Sequence, residues 1–304
     1  DNKVRLGSIE RRLSMSDSML CKNVYNEFAD LKHQIKKVSS SKIDSTNHSK
    51  NISTKKIFTS QNDFETQKKN MDKWLKQISF QGEYQNTKGG LQENINKSFT
   101  NLYIQNPKFF NKLLLNGSPK SLRALIWKIV SLQKLETDSK NYGILYEELL
   151  KQDLNFSVET AINKDLKRTF PLEENPTEEQ IQKLYNILKA NSLQDPEVGY
   201  CQGINFLTAT VLKVTEFNEL DSFIIMSNLM QEIRGFYITD FPLIAIHMNI
   251  FNYYFKQKLP RLYYHFQKMD VIDELWITKW FQILYSVNTP YEMTCRIWDS
   301  LFAY

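Results

Sequence analysis

Two short stretches hold residue types that could do chemistry. In PEVGYCQGINFL (Pro196–Leu207), Tyr200, Cys201 and Gln202 lie between Gly199 and Gly203, just ahead of an apolar, helix-like run. A cysteine there can act as a nucleophile if a nearby base draws off its proton. A glutamine there can orient a water, because its amide both donates and accepts. The four histidines are His33, His48, His247 and His265. The first two fall in a polar tail and the last two in apolar helical runs, so no base is identified, and Cys201 reads as a small core residue. The second stretch is AINKDLKRTFP (Ala161–Pro171), whose Arg168 precedes Gln202 by 34 residues. Asp165 and Arg168, at i and i+3, share one helix face, so the carboxylate can orient the guanidinium. Pro171 stops the helix and puts Arg168 at or near its C-terminal end, from where it can project into another molecule. By spacing alone, a surface ion pair of little energetic weight explains the same two residues.

Other chemistries lack their signatures. There is no G-x-x-x-x-G-K-[ST] and no G-x-G-x-x-G, and KGGLQ (Lys88–Gln92) predicts a flexible turn that does not cradle phosphate. The chain is therefore expected to bind neither GTP nor ATP by itself. No H-E-x-x-H occurs, and Glu147, Glu148, Glu178 and Glu179 are expected on solvated helix surfaces. The three cysteines, Cys21, Cys201 and Cys295, are odd in number and far apart, which indicates neither a disulfide framework nor a zinc site and points to a reducing compartment.

The elements that must position these residues read as helices. The chain has 304 residues, 41% hydrophobic, enough for one large core or two moderate ones. Apolar residues recur with helical spacing over about 121–133, 204–217, 219–234, 242–258, 272–286 and 290–302. Asn175 and Pro176 precede Thr177 and Gln180 at capping-box spacing, followed by Ile181, Leu184, Tyr185 and Leu188 on one face. Pro260 and Pro290 stand near helix starts. Alternating strand patterns are lacking and only nine glycines occur, so the fold class is all-α.

Upstream, Leu20, Val24, Phe28, Leu31 and Ile35 give residues 17–37 an amphipathic pattern, and the Ser/Lys/Asn-rich residues 38–61 read as a linker. Residues 1–60 carry twelve Lys/Arg against six Asp/Glu, so the net charge of +5 belongs to this segment and the rest is close to neutral. A nucleic-acid surface on the globular part is not expected. No run of about 18 uncharged apolar residues predicts a transmembrane helix, and residues 1–20 do not form a signal peptide. Because the chain opens on Asp1, it is expected to be a piece of a longer protein.

Side by side, the two stretches resemble a known pattern. INKDLKR (Ile162–Arg168) fits I-x-x-D-x-x-R, and YCQG (Tyr200–Gly203), continuing to Asn205, fits Y-C-Q-G-x-N. In this order they look like the TBC domain of Rab GTPase-activating proteins. GSPKSLRALIWKIV (Gly117–Val130) is similar to that domain's opening, a G-x-P turn before L-R-x-x-x-W that includes Arg123 and Trp127. LPRLYYHF (Leu259–Phe266), ITKWFQILYSVNTP (Ile277–Pro290) and RIWD (Arg296–Asp299) resemble its later segments. Ala124 departs from a frequent glycine and Ile204 from a common methionine.

The resemblance covers about residues 110–304 and implies a two-lobed helical domain that supplies two residues in trans to a GTP-bound Rab-type small GTPase, regulating membrane traffic. Arg168 corresponds to the arginine finger and Gln202 to the glutamine finger. Asp165 would orient Arg168, while Tyr200, Gly203 and Asn205 would brace the glutamine loop, and Arg123 and Trp127 would support the domain. No cofactor of its own is implied, since GTP and Mg2+ are held by the partner GTPase. The implied organisation is a basic segment 1–61, a helical lead-in 62–109 and the TBC domain 110–304, cut short at Tyr304 relative to the family. A cytoplasmic location, peripheral to membranes or cytoskeleton, follows from the same resemblance. A second reading stays open: a non-catalytic scaffold subunit of a larger assembly that contacts residues 1–60.

Overall fold

A computed structural model describes residues 69–76, 88–170, 175–287 and 289–304. All belong to one compact unit, Glu65–Tyr304. The expected helix over 17–37 and the linker over 38–61 lie outside the described residues. Among those described, every regular element is helical. No described helix is long and apolar enough to cross a membrane.

The chain enters through a short helix over 69–75 (α1), which buries Met71 and Trp74. Trp74 meets Phe99 and Phe110 edge-on, and its indole N–H donates to Gly117 O at 3.1 Å. Phe99 belongs to α2 (Lys88–Gln105) and Phe110 to α3 (Pro107–Leu115). The Asn106 side chain caps α3 by accepting from Phe109 N, and Pro107 supplies the pre-set first turn. KGGLQ forms the first turn of α2, where a flexible turn was expected. Glycine's cost in a helix is backbone entropy, and that cost is least at a helix end, so two glycines are tolerated in the first turn.

Next come α4 (Arg123–Lys134), α5 (Ser139–Leu150), α6 (Phe156–Leu166), α7 (Glu178–Gln194), α8 (Ile204–Val214) and α9 (Glu219–Ile233). Helix α9 is apolar on most of its circumference and packs against α4, α5, α7 and α8, as such a sequence requires. Thr177 and Gln180 cap α7 reciprocally, as their spacing predicts. A second group, α10 (Pro242–Lys258), α11 (Pro260–Lys268) and α12 (Glu274–Gln282), gathers around α10. The last helix, α13 (Tyr291–Phe302), returns to pack on α3 and α4. There the Phe302 ring stacks on Trp127 with centroids 4.8 Å apart. The result is the expected two-lobed all-α fold.

Two helices stop before their periodic patterns do. The pattern over 204–217 continues past Val214, but Glu216 and Phe217 take φ of 52° and 60°, and Phe217 N closes back on Leu212 O at 2.7 Å. Helix α12 ends at Gln282 and not near 286. Leu284 and Tyr285 are left-handed at 45° and 65°, and Tyr285 N returns to Trp280 O at 3.2 Å. Both ends use the left-handed C-terminal closure usually built with glycine. Glu216, Phe217, Leu284 and Tyr285 occupy the left-handed positions here, none of them glycine, so the sequence shows no stop.

Candidate functional site

Helix α6 brings the first group of residues into place. The Asn155 side chain opens the helix by accepting from Ser157 N at 2.9 Å. It ends at Leu166, so Arg168 stands in the following turn, its N–H donating to Asp165 O at 3.1 Å. Asp165, on the last helical turn, points inward: its side chain is 6% exposed while that of Arg168 is 55% exposed. Asp165 Oδ1 accepts from Arg168 Nε at 2.8 Å and Nη2 at 2.6 Å. Nη1 has no hydrogen bond among the described residues and is free to meet another molecule.

The other oxygen of the same carboxylate holds the second stretch. Tyr200 OH donates to Asp165 Oδ2 at 2.6 Å. Burial, reinforced by Asp165, pushes the Tyr200 phenol well above its ordinary pKa, so it remains a donor at any working pH. Beyond it the chain turns through Gly203, whose φ of 117° disfavours side chains. A Cβ at Gly203 would stand 3.2 Å from Ile283 Cγ2. Gly203 N donates to Asn205 Oδ1 at 3.0 Å, and the fully buried Asn205 donates through Nδ2 to Thr169 Oγ1 at 2.9 Å. Thr169 Oγ1 in turn donates to Asp165 O at 2.7 Å. Asp165, Arg168, Tyr200, Gly203 and Asn205 are thus one bonded cluster. Gln202 is exposed above it, and its side chain makes no hydrogen bond among the described residues.

Ala161, Lys164, Asp165, Arg168, Tyr200 and Gln202 line an open cleft of about 490 Å³. A larger groove of about 650 Å³ lies on α10–α12, but its lining is aromatic and aliphatic apart from Lys258. Burial first, then Asp165, pushes the Cys201 thiol up, which suppresses the thiolate. Among the described residues no histidine bonds to it: His247 Nδ1 lies 2.8 Å from Leu243 O, with its ring against Phe236 and Phe281. The cleft therefore presents a cation and a carboxamide, with no activated nucleophile. Among the described residues no group of three or more His, Cys, Asp or Glu could hold a metal ion. Glu147, Glu148, Glu178 and Glu179 are all exposed, as expected.

Arg123 and Trp127 belong to a different network. Asp299, fully buried on α13, accepts from Trp127 Nε1 at 2.9 Å, Ser118 N at 2.9 Å, Ser118 Oγ at 2.5 Å and Arg123 Nε at 3.3 Å. Burial opposes the Arg123 charge, but Asp299, Cys295 and Glu292 together outweigh it and keep the guanidinium pKa above its ordinary value. This network ties the start of α4 to the last helix, and none of its bonds reaches Asp165. Thr169 and Asp299 were assigned no part from the sequence. For Thr169 a signal existed, since it follows Arg168 directly. For Asp299 the partners lie 172 to 181 residues away and no local pattern shows them.

Residues 120–304 match the model of the Rab-GTPase-TBC domain. Among relatives, the GTPase-activating protein GYP5 of Eremothecium gossypii is 34% identical over 189 residues, 62% of this chain and 22% of that protein. The growth hormone-regulated TBC protein 1 of Homo sapiens is 32% identical over 61% of this chain and 56% of its own length. The chain thus spans about a fifth of the fungal GYP5 relatives, which are covered to 22% and 21%. The Chlamydomonas flagellar RabGAP TBC domain superposes with a TM-score of 0.53 at 27% identity, over 64% of this chain and 65% of that one. The Ypt/Rab-GAP domain of Gyp1p, 20% identical with a TM-score of 0.51 over 64% of this chain and 73% of its own, shares the fold.

Proposed function

The chain belongs to the Rab-GTPase-TBC domain family, and from that premise we propose that it accelerates GTP hydrolysis by a small GTPase of the Rab class. Arg168 acts as an arginine finger and Gln202 as a glutamine finger, both in trans. GTP and Mg2+ belong to the partner, so this chain needs no cofactor of its own. The guanidinium neutralises charge developing on the transferring phosphoryl oxygens. The Gln202 carboxamide orients the attacking water, in place of the partner's own glutamine. An activator of this kind returns its GTPase to the GDP state and so regulates membrane traffic from the cytoplasmic side.

The observation that carries this reading is the Asp165 carboxylate, which binds Arg168 through one oxygen and Tyr200 through the other. It holds the Arg168 guanidinium and the backbone that leads to Gln202 along one cleft before any partner arrives, which lowers the ordering cost of the reaction. The test is single-turnover GTP hydrolysis by a panel of Rab-class GTPases with the unaltered chain, Arg168→Ala and Gln202→Ala. Acceleration lost in both variants supports the reading, and acceleration unchanged in both overturns it.

A further inference from the structure

The loop that carries Gln202 is held at a third point, outside the Asp165 cluster. Helix α7 ends at Gln194, and the capping residue Asp195 still bonds Asn191 O through its N–H at 3.1 Å. Asp195 then shapes the turn that sends the chain toward Tyr200. Its carbonyl accepts from Gly199 N at 2.8 Å, and its Oδ1 accepts from Val198 N at 3.4 Å. Gly199 is left-handed, with φ of 54°. Onto this turn reaches Arg234, from the single 3-10 turn (Arg234–Phe236) that follows α9. Arg234 Nε donates to Asp195 Oδ2 at 2.6 Å and Nη2 to Asp195 Oδ1 at 3.2 Å, while Nη2 also bonds Glu197. The planar guanidinium thereby grips both oxygens of one carboxylate and one oxygen of a second, on the stretch that enters the glutamine loop.

The anchor of Arg234 is itself tied down. Three residues on, Tyr237 OH donates to Gln282 O, and Gln282 Nε2 donates to Phe236 O at 3.3 Å. Gln282 is the last residue of α12, and the next residue, Ile283, closes against Gly203. Both flanks of Gln202 are therefore referenced to the same small region, where the 3-10 turn meets the end of α12. Isolated surface ion pairs contribute little, but a forked pair with two carboxylates on a turn fixes geometry as well as energy. Neither the cleft nor Arg168 is touched by Arg234.

We propose that Arg234 is a positioning residue for Gln202, acting through its fork to Asp195 and Glu197 on the entry to the glutamine loop. The proposal rests on the reading of Gln202 as a finger. Its expected signature is a loss in maximal rate with docking of the GTPase left intact, because Arg234 holds no group in the cleft.

The test uses a Rab-class GTPase that the unaltered chain accelerates, in single-turnover hydrolysis over a range of activator concentrations. Arg234→Ala is expected to lower the maximal rate about ten- to a hundredfold, the scale on which small displacements of a working group act. The half-saturating concentration stays within about a factor of two, as for a group that serves the transition state alone. Arg234→Lys falls between the two, since an ammonium keeps charge but not the fork. In a Gln202→Ala background, Arg234→Ala has little further effect, whereas loss of general stability would multiply. Full maximal rate in both Arg234 variants, a loss confined to half-saturation, or full multiplication on Gln202→Ala overturns the proposal. If Gln202→Ala is itself fully active, the reading beneath fails first and takes this proposal with it.

Discussion

Tyr200 and Asp165, 35 residues apart in sequence, meet in a hydrogen bond of 2.6 Å, and the same carboxylate holds Arg168. One buried carboxyl group therefore sets the relation between the two segments whose exposed tips are Arg168 and Gln202. Its geometry yields a first prediction. Tyr200→Phe keeps the ring and removes the one bond, leaving Asp165 Oδ2 without its donor. A hydrogen bond to a charged group is worth about 1.5–3 kcal/mol, so a loss of about ten- to a hundredfold in activation is expected if the bond serves the aligned state. Activation kinetics of Tyr200→Phe measure it, and wild-type rates would show that the bond is incidental.

The second prediction concerns Gly203. Its φ of 117° and the 3.2 Å approach of Ile283 leave no comfortable place for a Cβ. Gly203→Ala should cost about 1–3 kcal/mol of stability and lower activation as well, because Gln202 is the adjacent residue. Shortening Ile283 in the same chain relieves the contact but not the backbone strain, so chemical denaturation of the double variant should show only partial recovery.

Asp299 provides the contrasting case. It is fully buried and accepts from Ser118, Arg123 and Trp127. Asp299→Ala strands a buried guanidinium and should destabilise by about 3–5 kcal/mol, with a lower melting temperature. Arg123→Ala should act the same way. Activation per folded molecule should be unchanged below the melting range, and a selective loss of activity at full stability would place Arg123 in the chemistry.

How much of this was legible in the sequence depends on range. The capping box at Thr177 and Gln180 and the prolines at 260 and 290 act within a turn or so, and the helices they open were readable. The pairing of Asp165 with Arg168 follows from a three-residue spacing. Helix ends at Phe217 and Tyr285 were not readable, because residues other than glycine, Glu216 among them, occupy left-handed positions where glycine would have marked the stop. KGGLQ misled in the opposite sense, since two glycines suit a helix's first turn as well as a loop. Asp299 and Arg234 gain their partners through tertiary packing alone, across 181 and 39 residues, and no local pattern announces either.

A pH prediction follows from that last pair. The Arg234 guanidinium holds the Asp195 carboxyl below the usual carboxylate range. The stability it contributes is present above the unfolded pKa of about 3.9 and is lost as pH falls through the lower folded value. The difference in stability between the unaltered chain and Arg234→Ala should therefore be steady near neutrality and shrink below about pH 4. Thermal melts across that range check it, and a difference that grows on acidification would contradict the assigned sign.

The thiol of Cys201 offers a further pH test. With its pKa pushed up by burial and by Asp165, little thiolate exists at neutral pH, and alkylation by iodoacetamide should lag behind that of a free cysteine and accelerate only at alkaline pH. Cys201→Ala should activate a GTPase as well as the unaltered chain. A dead but folded Cys201→Ala would return the cysteine to the mechanism.

Arg168 and Gln202 are proposed to complete a partner's active site. The most direct measurement is single-turnover GTP hydrolysis by the Rab-class GTPase most accelerated in a panel, with the unaltered chain, Arg168→Ala, Arg168→Lys and Gln202→Ala compared at saturation. The predicted result is a loss for Arg168→Ala on the order of 10³–10⁵, little rescue by lysine, and a large separate loss for Gln202→Ala. Acceleration that survives in Arg168→Ala and Gln202→Ala alike would contradict the account.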